Sequence, residues 1–354
     1  MIEPLRTRRW GRCGVSEWRD GPTFAMCRAL VDGADLATFA GGPFDVRAVV
    51  AAIRPETTQR AFLDDVPWGN FPHGYTVRDA VRLLRTGSEP ARNATAVLYG
   101  MCADDSRAAA ALAVPFLIEI GTDIHHPHRA DAVGLLAAPA RARHFGAASR
   151  DEFLLHRADP RHDALDDYDG YGVEVTGYPA GWSVAAARAA ITAETPALLI
   201  LLDDSDPAVR IDAAYALATV GDPDHTVRTA FATRLVTEHD PMVRAALILA
   251  IAETTRAHPH PPTTAWIRER WRDRTQAPEV RLAAAIGWLC LTDEPAPDEL
   301  HLTVSTLTTD ACARAMDALP WMTAAGCGEP GLLTCVRRML RAEEPEPPHD
   351  DPWA

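Results

Sequence analysis

The segment Asp206-Pro207-Ala208-Val209-Arg210 opens an alanine-rich stretch that ends at Leu217, and this stretch decides the fold class. Aspartate is a preferred N-cap residue, and its carboxylate is stabilised at the positive end of the helix dipole. Proline suits the first helical position, where no N–H group is needed. Because the apolar residues Val209, Ala213 and Ala216 follow at helical spacing, the segment predicts a capped helix with one buried stripe.

The same pattern occurs twice more. The motif arginines Arg210, Arg244 and Arg281 are separated by 34 and 37 residues. In the third copy Ala277 replaces the capping aspartate, so we expect a weaker cap there. Companion helices are predicted at 196–202, 227–237 and 263–275. Periods in this range are typical of stacked helical hairpins, in which each hairpin buries its apolar face on the next.

The pattern D-P-x-V-R-x-x-A-A-x-A-L, matched best by residues 206–217, resembles the HEAT-repeat family. The resemblance covers roughly 100 residues and implies an all-α fold, a right-handed α-solenoid (α-α superhelix) with a concave face. In that family the motif arginine commonly braces adjacent repeats. We therefore interpret a set of five residues as structural: Asp206, Arg210, Asp240, Arg244 and Arg281.

Five segments are expected along the chain. They are an N-terminal helical segment of unclear class (1–60), degenerate HEAT-like helices (61–141), an inserted loop (142–182), HEAT-like repeats (183–342) and a disordered acidic tail (343–354). The loop is predicted where the helical pattern breaks and glycines accumulate. Insertions of this kind usually lie on one face of an array and are often its binding element.

Composition limits the possible functions. The chain has no lysine, which excludes a lysine Schiff base and a Walker phosphate loop. A formal net charge of −14 is unfavourable for binding the nucleic-acid backbone and suits a basic partner. The seven cysteines form no CxxC pair, which indicates reduced thiols. With no signal-peptide pattern and no apolar run of membrane-spanning length, we expect a soluble, cytoplasmic protein.

A narrower resemblance rests on Trp68-Gly69-Asn70, His73-Gly74 and Val114-Pro115-Phe116-Leu117. These elements are similar to a group of bacterial HEAT-type proteins in which a W-x-N…H-x-G element precedes a V-P-F-L helix. Here Gly74 follows His73 directly, which departs from that pattern. Several proteins of the group are thought to be encoded beside secreted toxins, so the resemblance implies an immunity-type or adaptor role.

The inserted loop holds most of the predicted binding residues. Acidic and tyrosine side chains on a glycine-rich loop suit an arginine-rich partner, although paired carboxylates also permit acid–base catalysis and a solvated loop is a third interpretation. The candidates there are His162, Asp166, Asp167, Tyr168, Asp169 and Tyr171.

Two upstream clusters complete the candidates. Trp68 and His73 form a partner contact if exposed, whereas a buried Trp68 caps the first apolar layer, which is the interpretation we favour. The second cluster comprises His125, His126 and His128 beside Asp123 and Asp131. Alternation around Pro127 favours a solvated turn over a convergent metal site, so we expect no metal and no cofactor.

The favoured hypothesis is a non-enzymatic scaffold that binds a protein partner through the concave face and the insert. One alternative is an enzyme of specialised biosynthesis that holds a small-molecule ligand in the solenoid. It predicts a deep pocket containing a carboxylate with a strongly raised pKa. A second alternative, a HEAT-like DNA-binding protein or glycosylase, is disfavoured by the net charge. Membrane binding is not expected.

Overall fold

A computed structural model describes residues 22–53, 63–87, 91–101, 106–141, 149–154, 174, 176–222, 225–324 and 331–341. Within these ranges the protein is all-α and contains no β-strand, as predicted. The helices are α1 (Pro22–Val31), α2 (Val46–Ile53), α3 (Gly74–Arg85), α4 (Ala91–Gly100), α5 (Arg107–Thr122), α6 (Arg129–Leu135), α7 (Ala180–Ala193), α8 (Thr195–Ile200), α9 (Pro207–Leu217), α10 (Thr226–Thr237), α11 (Pro241–Ala257), α12 (Pro261–Arg272), α13 (Pro278–Leu291), α14 (Asp298–Leu307), α15 (Asp310–Met316), α16 (Pro320–Ala324) and α17 (Leu332–Leu340).

The chain forms two compact units. Unit 1 comprises residues 1–142 and 160–204, and unit 2 comprises residues 143–159 and 205–354. The predicted inserted loop (142–182) therefore contributes residues 143–159 to unit 2 and the rest to unit 1.

Unit 1 is built around α5, which packs on α2, α3, α6 and α7. The first two turns of α5 are alanine-rich and buried on every side, which is what a helix without a polar face requires. α2 also packs on α7, with Val46 and Val50 fully buried, so this part of the predicted N-terminal segment belongs to the unit 1 core. No single described helix is long and apolar enough to cross a membrane; α7 meets that test only together with residues Thr195–Asp203, across a bend of 66°.

Unit 2 contains the three motif helices. α9, α11 and α13 begin at the three motif prolines, as predicted. Asp206 Oδ1 accepts the Ala208 N–H at 2.9 Å, and Asp240 Oδ1 accepts the Met242 N–H at 2.8 Å. Ala277 makes no side-chain cap, which is the weaker third start that the sequence predicted. Because α11 packs on both α9 and α13, these helices form one layer, named here the inner layer, and α10, α12 and α14 form the outer layer against it.

Candidate interaction surface

Glu238, between α10 and α11, is the centre of an ion-pair network that joins two repeats. Its buried carboxylate accepts hydrogen bonds from Arg210 Nε of α9 at 2.9 Å and from Arg234 Nη2 of α10 at 2.8 Å. It also accepts the backbone N–H of Asp240 at 2.9 Å. Burial alone would raise the pKa of Glu238, but the Asp240 N–H and the two arginines outweigh it and lower the pKa to about 2. Glu238 therefore stays ionised and compensates the buried Arg210.

The other two motif arginines also bond within the array. Arg244 donates from Nη1 to the Glu238 carbonyl at 3.3 Å and from Nη2 to Gln276 Oε1 at 2.8 Å. Arg281 donates from Nε to the Trp271 carbonyl at 3.1 Å. Each of these guanidinium groups thus joins its own motif helix to a neighbouring loop or helix end. Such contacts brace adjacent repeats against one another. Sequence reasoning missed Glu238, although its position two residues before the D-P cap was a usable signal.

The inner layer is covered by the chain's own C-terminal helices. Every residue of α11 from Ala245 to Arg256 is buried, so this helix has no open face. On the side that α10 and α12 leave free, Trp321 of α16 packs edge-on against Tyr215 of α9, with 4.7 Å between ring centroids. The Trp321 indole N–H donates to Glu253 Oε2 of α11 at 2.6 Å. α17 packs on α13 in the same unit.

Residues 149–154, predicted as part of the inserted loop, complete this cover. Arg150 donates from Nε to the Met339 carbonyl at 2.6 Å and from Nη1 to the Glu294 carbonyl at 2.9 Å. Arg256 of α11 in turn donates to the Arg150 carbonyl at 2.6 Å. Phe153 and Leu154 are buried beside them. This end of the predicted loop is therefore a packed element of unit 2, and the cover consists of residues 149–154, α16 and α17.

The other end of the predicted loop is equally well anchored, in unit 1. The fully buried Tyr178 donates its hydroxyl to the Phe44 carbonyl at 2.6 Å and accepts the Val46 N–H at 3.0 Å. The buried Ser183 donates to the Glu174 carboxylate. Because α7 already begins at Ala180, the last residues of the predicted loop are helical.

The predicted contact residues are distributed as follows. Trp68 is buried against Phe116, and its indole N–H donates to the Leu63 carbonyl at 2.7 Å. This placement agrees with the packing alternative and leaves the Trp68 ring no exposed surface for a partner. His73 is half-buried at the start of α3 in a left-handed conformation with φ 57°. The remaining candidates, His162, Asp166, Asp167, Tyr168, Asp169 and Tyr171, lie outside the described residues.

The histidine cluster occupies the turn between α5 and α6. His128 Nδ1 lies 3.2 Å from the Asp131 carboxylate, and Asp123 Oδ1 accepts the His125 backbone N–H at 3.0 Å. Within the part of the chain that the structure describes, no group of three His, Cys, Asp or Glu side chains is arranged to hold a metal ion. The cluster has the local hydrogen bonds of a turn.

The groove and the raised-pKa carboxylate that the enzyme hypothesis predicts belong to different units. A shallow groove of about 330 Å³ in unit 1 is lined by Gly41, Gly42, Pro43, Ala48, Val49, Ala52, Ile53, Asp65, Val66 and Pro67. The carboxylate with a strongly raised pKa is Asp212 of α9 in unit 2, where burial and then Asp206 raise the pKa to about 7. Burial also raises the pKa of the Cys27 and Cys290 thiols to about 12, opposite to an activated nucleophile.

The outer layer carries exposed apolar side chains and half-buried arginines. Val236 of α10 is 83% exposed and Leu302 of α14 is 68% exposed. On α12, Arg270 lies over the Trp266 ring at 4.9 Å, and Arg268 lies over Trp288 of α13 at 5.7 Å. Neither arginine forms a salt bridge with any described residue. The outer layer is therefore the side of the repeats that remains open to a partner.

The structure defines the class as an all-α repeat protein of stacked helical hairpins. Residues 195–287, which run from α8 into α13, match the family model described as HEAT repeats. This stretch is therefore similar to HEAT repeats. No curated protein matches the chain.

Proposed function

We propose that this protein is a non-enzymatic scaffold or adaptor that binds another protein through the loop between residues 154 and 174. Repeat folds of this kind provide extended, preorganised binding surfaces. The observation that carries the proposal is that each end of the loop is held by polar contacts within its own unit, through Arg150 and Arg256 at one end and Tyr178 at the other.

The covered inner layer changes the binding surface that the sequence predicted. A concave-face partner would have to displace α16 and residues 149–154, together with the buried hydrogen bond between Trp321 and Glu253. A loop with fixed ends needs no such displacement.

The chemistry of the loop indicates a basic partner. Residues 155–173 contain five aspartates and two arginines, together with Tyr168 and Tyr171. Carboxylates form strong paired hydrogen bonds with arginine, and tyrosines are frequent anchors of protein interfaces. An immunity-type role is the more specific form of this proposal, and its support is the resemblance of the elements between Trp68 and Leu117.

The test replaces residues 157–171 by a glycine-serine linker and leaves both anchors intact. A longer deletion that included Tyr178 would also disturb unit 1, so its result would be ambiguous. We expect the tagged wild-type chain to capture one protein in stoichiometric amount from native lysate and the linker variant to capture none. Circular dichroism should show equal helicity for both.

Charge-matched variants separate loop chemistry from general acidity. D166N/D167N/D169N removes three charges from the loop, and D293N/D298N/D317N removes three exposed charges elsewhere. We expect the first variant to lose the partner and the second to retain it. Equal capture by the wild-type chain, the loop variant and the linker variant would overturn the proposal.

A further inference from the structure

The start of α10 holds a buried guanidinium that forms no salt bridge with any described residue. Arg228 is 9% exposed, and its Nη1 atom is buried without a hydrogen-bond partner. No carboxylate among the described residues lies within salt-bridge distance of this guanidinium. Burial of an uncompensated charge costs several kcal/mol, so a residue of this kind indicates an absent anion more readily than a packing role.

Two histidines lie beside Arg228. His225 is the N-cap residue of α10, is exposed, and adopts a left-handed conformation with φ 57°. Arg228 follows three residues later, in the first turn of α10. The His260 ring, at the start of α12, lies 6.2 Å from the His225 ring between centroids. The left-handed conformation costs His225 about 1 kcal/mol, which is a strain that binding sites often contain.

A carboxylate also lies at this helix start. Asp222 is the nearest capping carboxylate, and it accepts the Val227 N–H at 3.0 Å and the Arg228 backbone N–H at 2.9 Å. Both of its oxygens therefore cap α10. Burial, followed by the charges of Arg228 and His225, lowers the pKa of the His260 imidazole.

We infer that Arg228, His225 and His260 form a binding site for a phosphate dianion, either free or as a phosphate monoester. A guanidinium supplies several N–H donors in a fixed fork, and each imidazole adds another, which matches the several acceptor oxygens of phosphate. The site lies within unit 2 and is independent of the loop proposed as the partner contact.

The experiment is calorimetric titration of the full chain with inorganic phosphate and with phosphoserine, at constant ionic strength in chloride buffer. We expect saturable binding that R228M weakens about ten-fold or more, because the charged donor is lost. H260N should weaken it several-fold. R270M is the matched control, since it removes an arginine of α12 that forms no described salt bridge, and it should leave the affinity unchanged.

Thermal unfolding without phosphate provides an independent readout. If Arg228 is an unoccupied anion ligand, R228M should unfold at a higher temperature than the wild-type chain, because a buried unpaired charge has been removed. Tighter binding of phosphoserine would identify a monoester as the ligand class, and tighter binding of inorganic phosphate would identify the free ion. No saturable binding of either probe, or equal affinities in R228M and wild type, would overturn the inference.

Discussion

At the scale of single residues, Asp212 is the carboxylate whose surroundings least suit its charge. It lies on α9 one turn before Tyr215, where burial and then Asp206 raise its pKa to about 7. The folded chain therefore retains a proton that the unfolded chain releases above its ordinary value of 3.8. By linkage, the stability contribution is largest below that value and is lost as the pH rises to about 7.

Asp212→Asn should stabilise the protein at pH 8 and have little effect at pH 4. At pH 8 the substitution removes a poorly solvated charge, and we expect a gain of roughly 1–2 kcal/mol after allowance for solvent screening. At pH 4 the folded wild-type chain holds the carboxyl protonated, so the two side chains are nearly equivalent. Urea unfolding at both pH values measures the difference. The control Asp317→Asn, at an exposed position, should leave the free energy of unfolding unchanged at both pH values. An equal gain in stability for Asp212→Asn at pH 4 and pH 8 would contradict the argument.

Glu238 shows the opposite behaviour. Because its pKa is lowered to about 2, its contribution is complete above its ordinary value and is lost as the pH falls towards 2. Glu238→Gln should destabilise the fold by about 3 kcal/mol at pH 7, since Arg210 is left buried without a full counter-charge. The difference in the free energy of unfolding between Glu238→Gln and the wild-type chain should become smaller as the pH falls towards 2. Glu269→Gln, whose side chain is 72% exposed, is the control and should stay close to wild type.

At the scale of helices, the sequence predicted what is encoded locally. The starts of α9, α11 and α13 followed from the proline at the first helical position, and the two strong caps followed from Asp206 and Asp240. The cover over the inner layer could not be predicted in this way. Arg150 bonds to the carbonyl of a residue 189 positions away, and no local spacing encodes such a pair. For the same reason residues 149–154 were interpreted as loop.

The junction before α3 offers a test at this scale. A Cβ on Gly74 would lie 1.8 Å from the Trp68 carbonyl oxygen, so Gly74→Ala must displace backbone that positions a buried tryptophan. We expect a loss of about 3 kcal/mol or more, measured by thermal unfolding. Gly100→Ala is the control, since a Cβ there meets nothing within 4 Å, and it should be neutral or slightly stabilising. Similar melting temperatures for the two variants would show that this junction is adaptable.

At the scale of the whole molecule, the chain has a negative net charge although its outer layer carries arginines without salt bridges among the described residues. The chain carries −14 overall, yet Arg228, Arg268 and Arg270 have no salt bridge among the described residues. Composition alone could not reveal this, because it averages over all surfaces. Local arginines of this kind can bind a small anion through short-range hydrogen bonds, whereas a polyanion also experiences the field of the entire chain.

This difference predicts that duplex DNA binds weakly and only at low ionic strength. A DNA duplex spans many Debye lengths, so the acidic remainder of the chain repels it while a single phosphate in the Arg228 cluster is unaffected. Fluorescence anisotropy with a labelled duplex should show no binding at about 150 mM salt, a concentration at which phosphate titration still detects the small anion. R268Q/R270Q should abolish whatever binding remains at low salt. DNA affinity that persists at the higher salt concentration and decreases in R268Q/R270Q would instead make the outer layer a nucleic-acid surface.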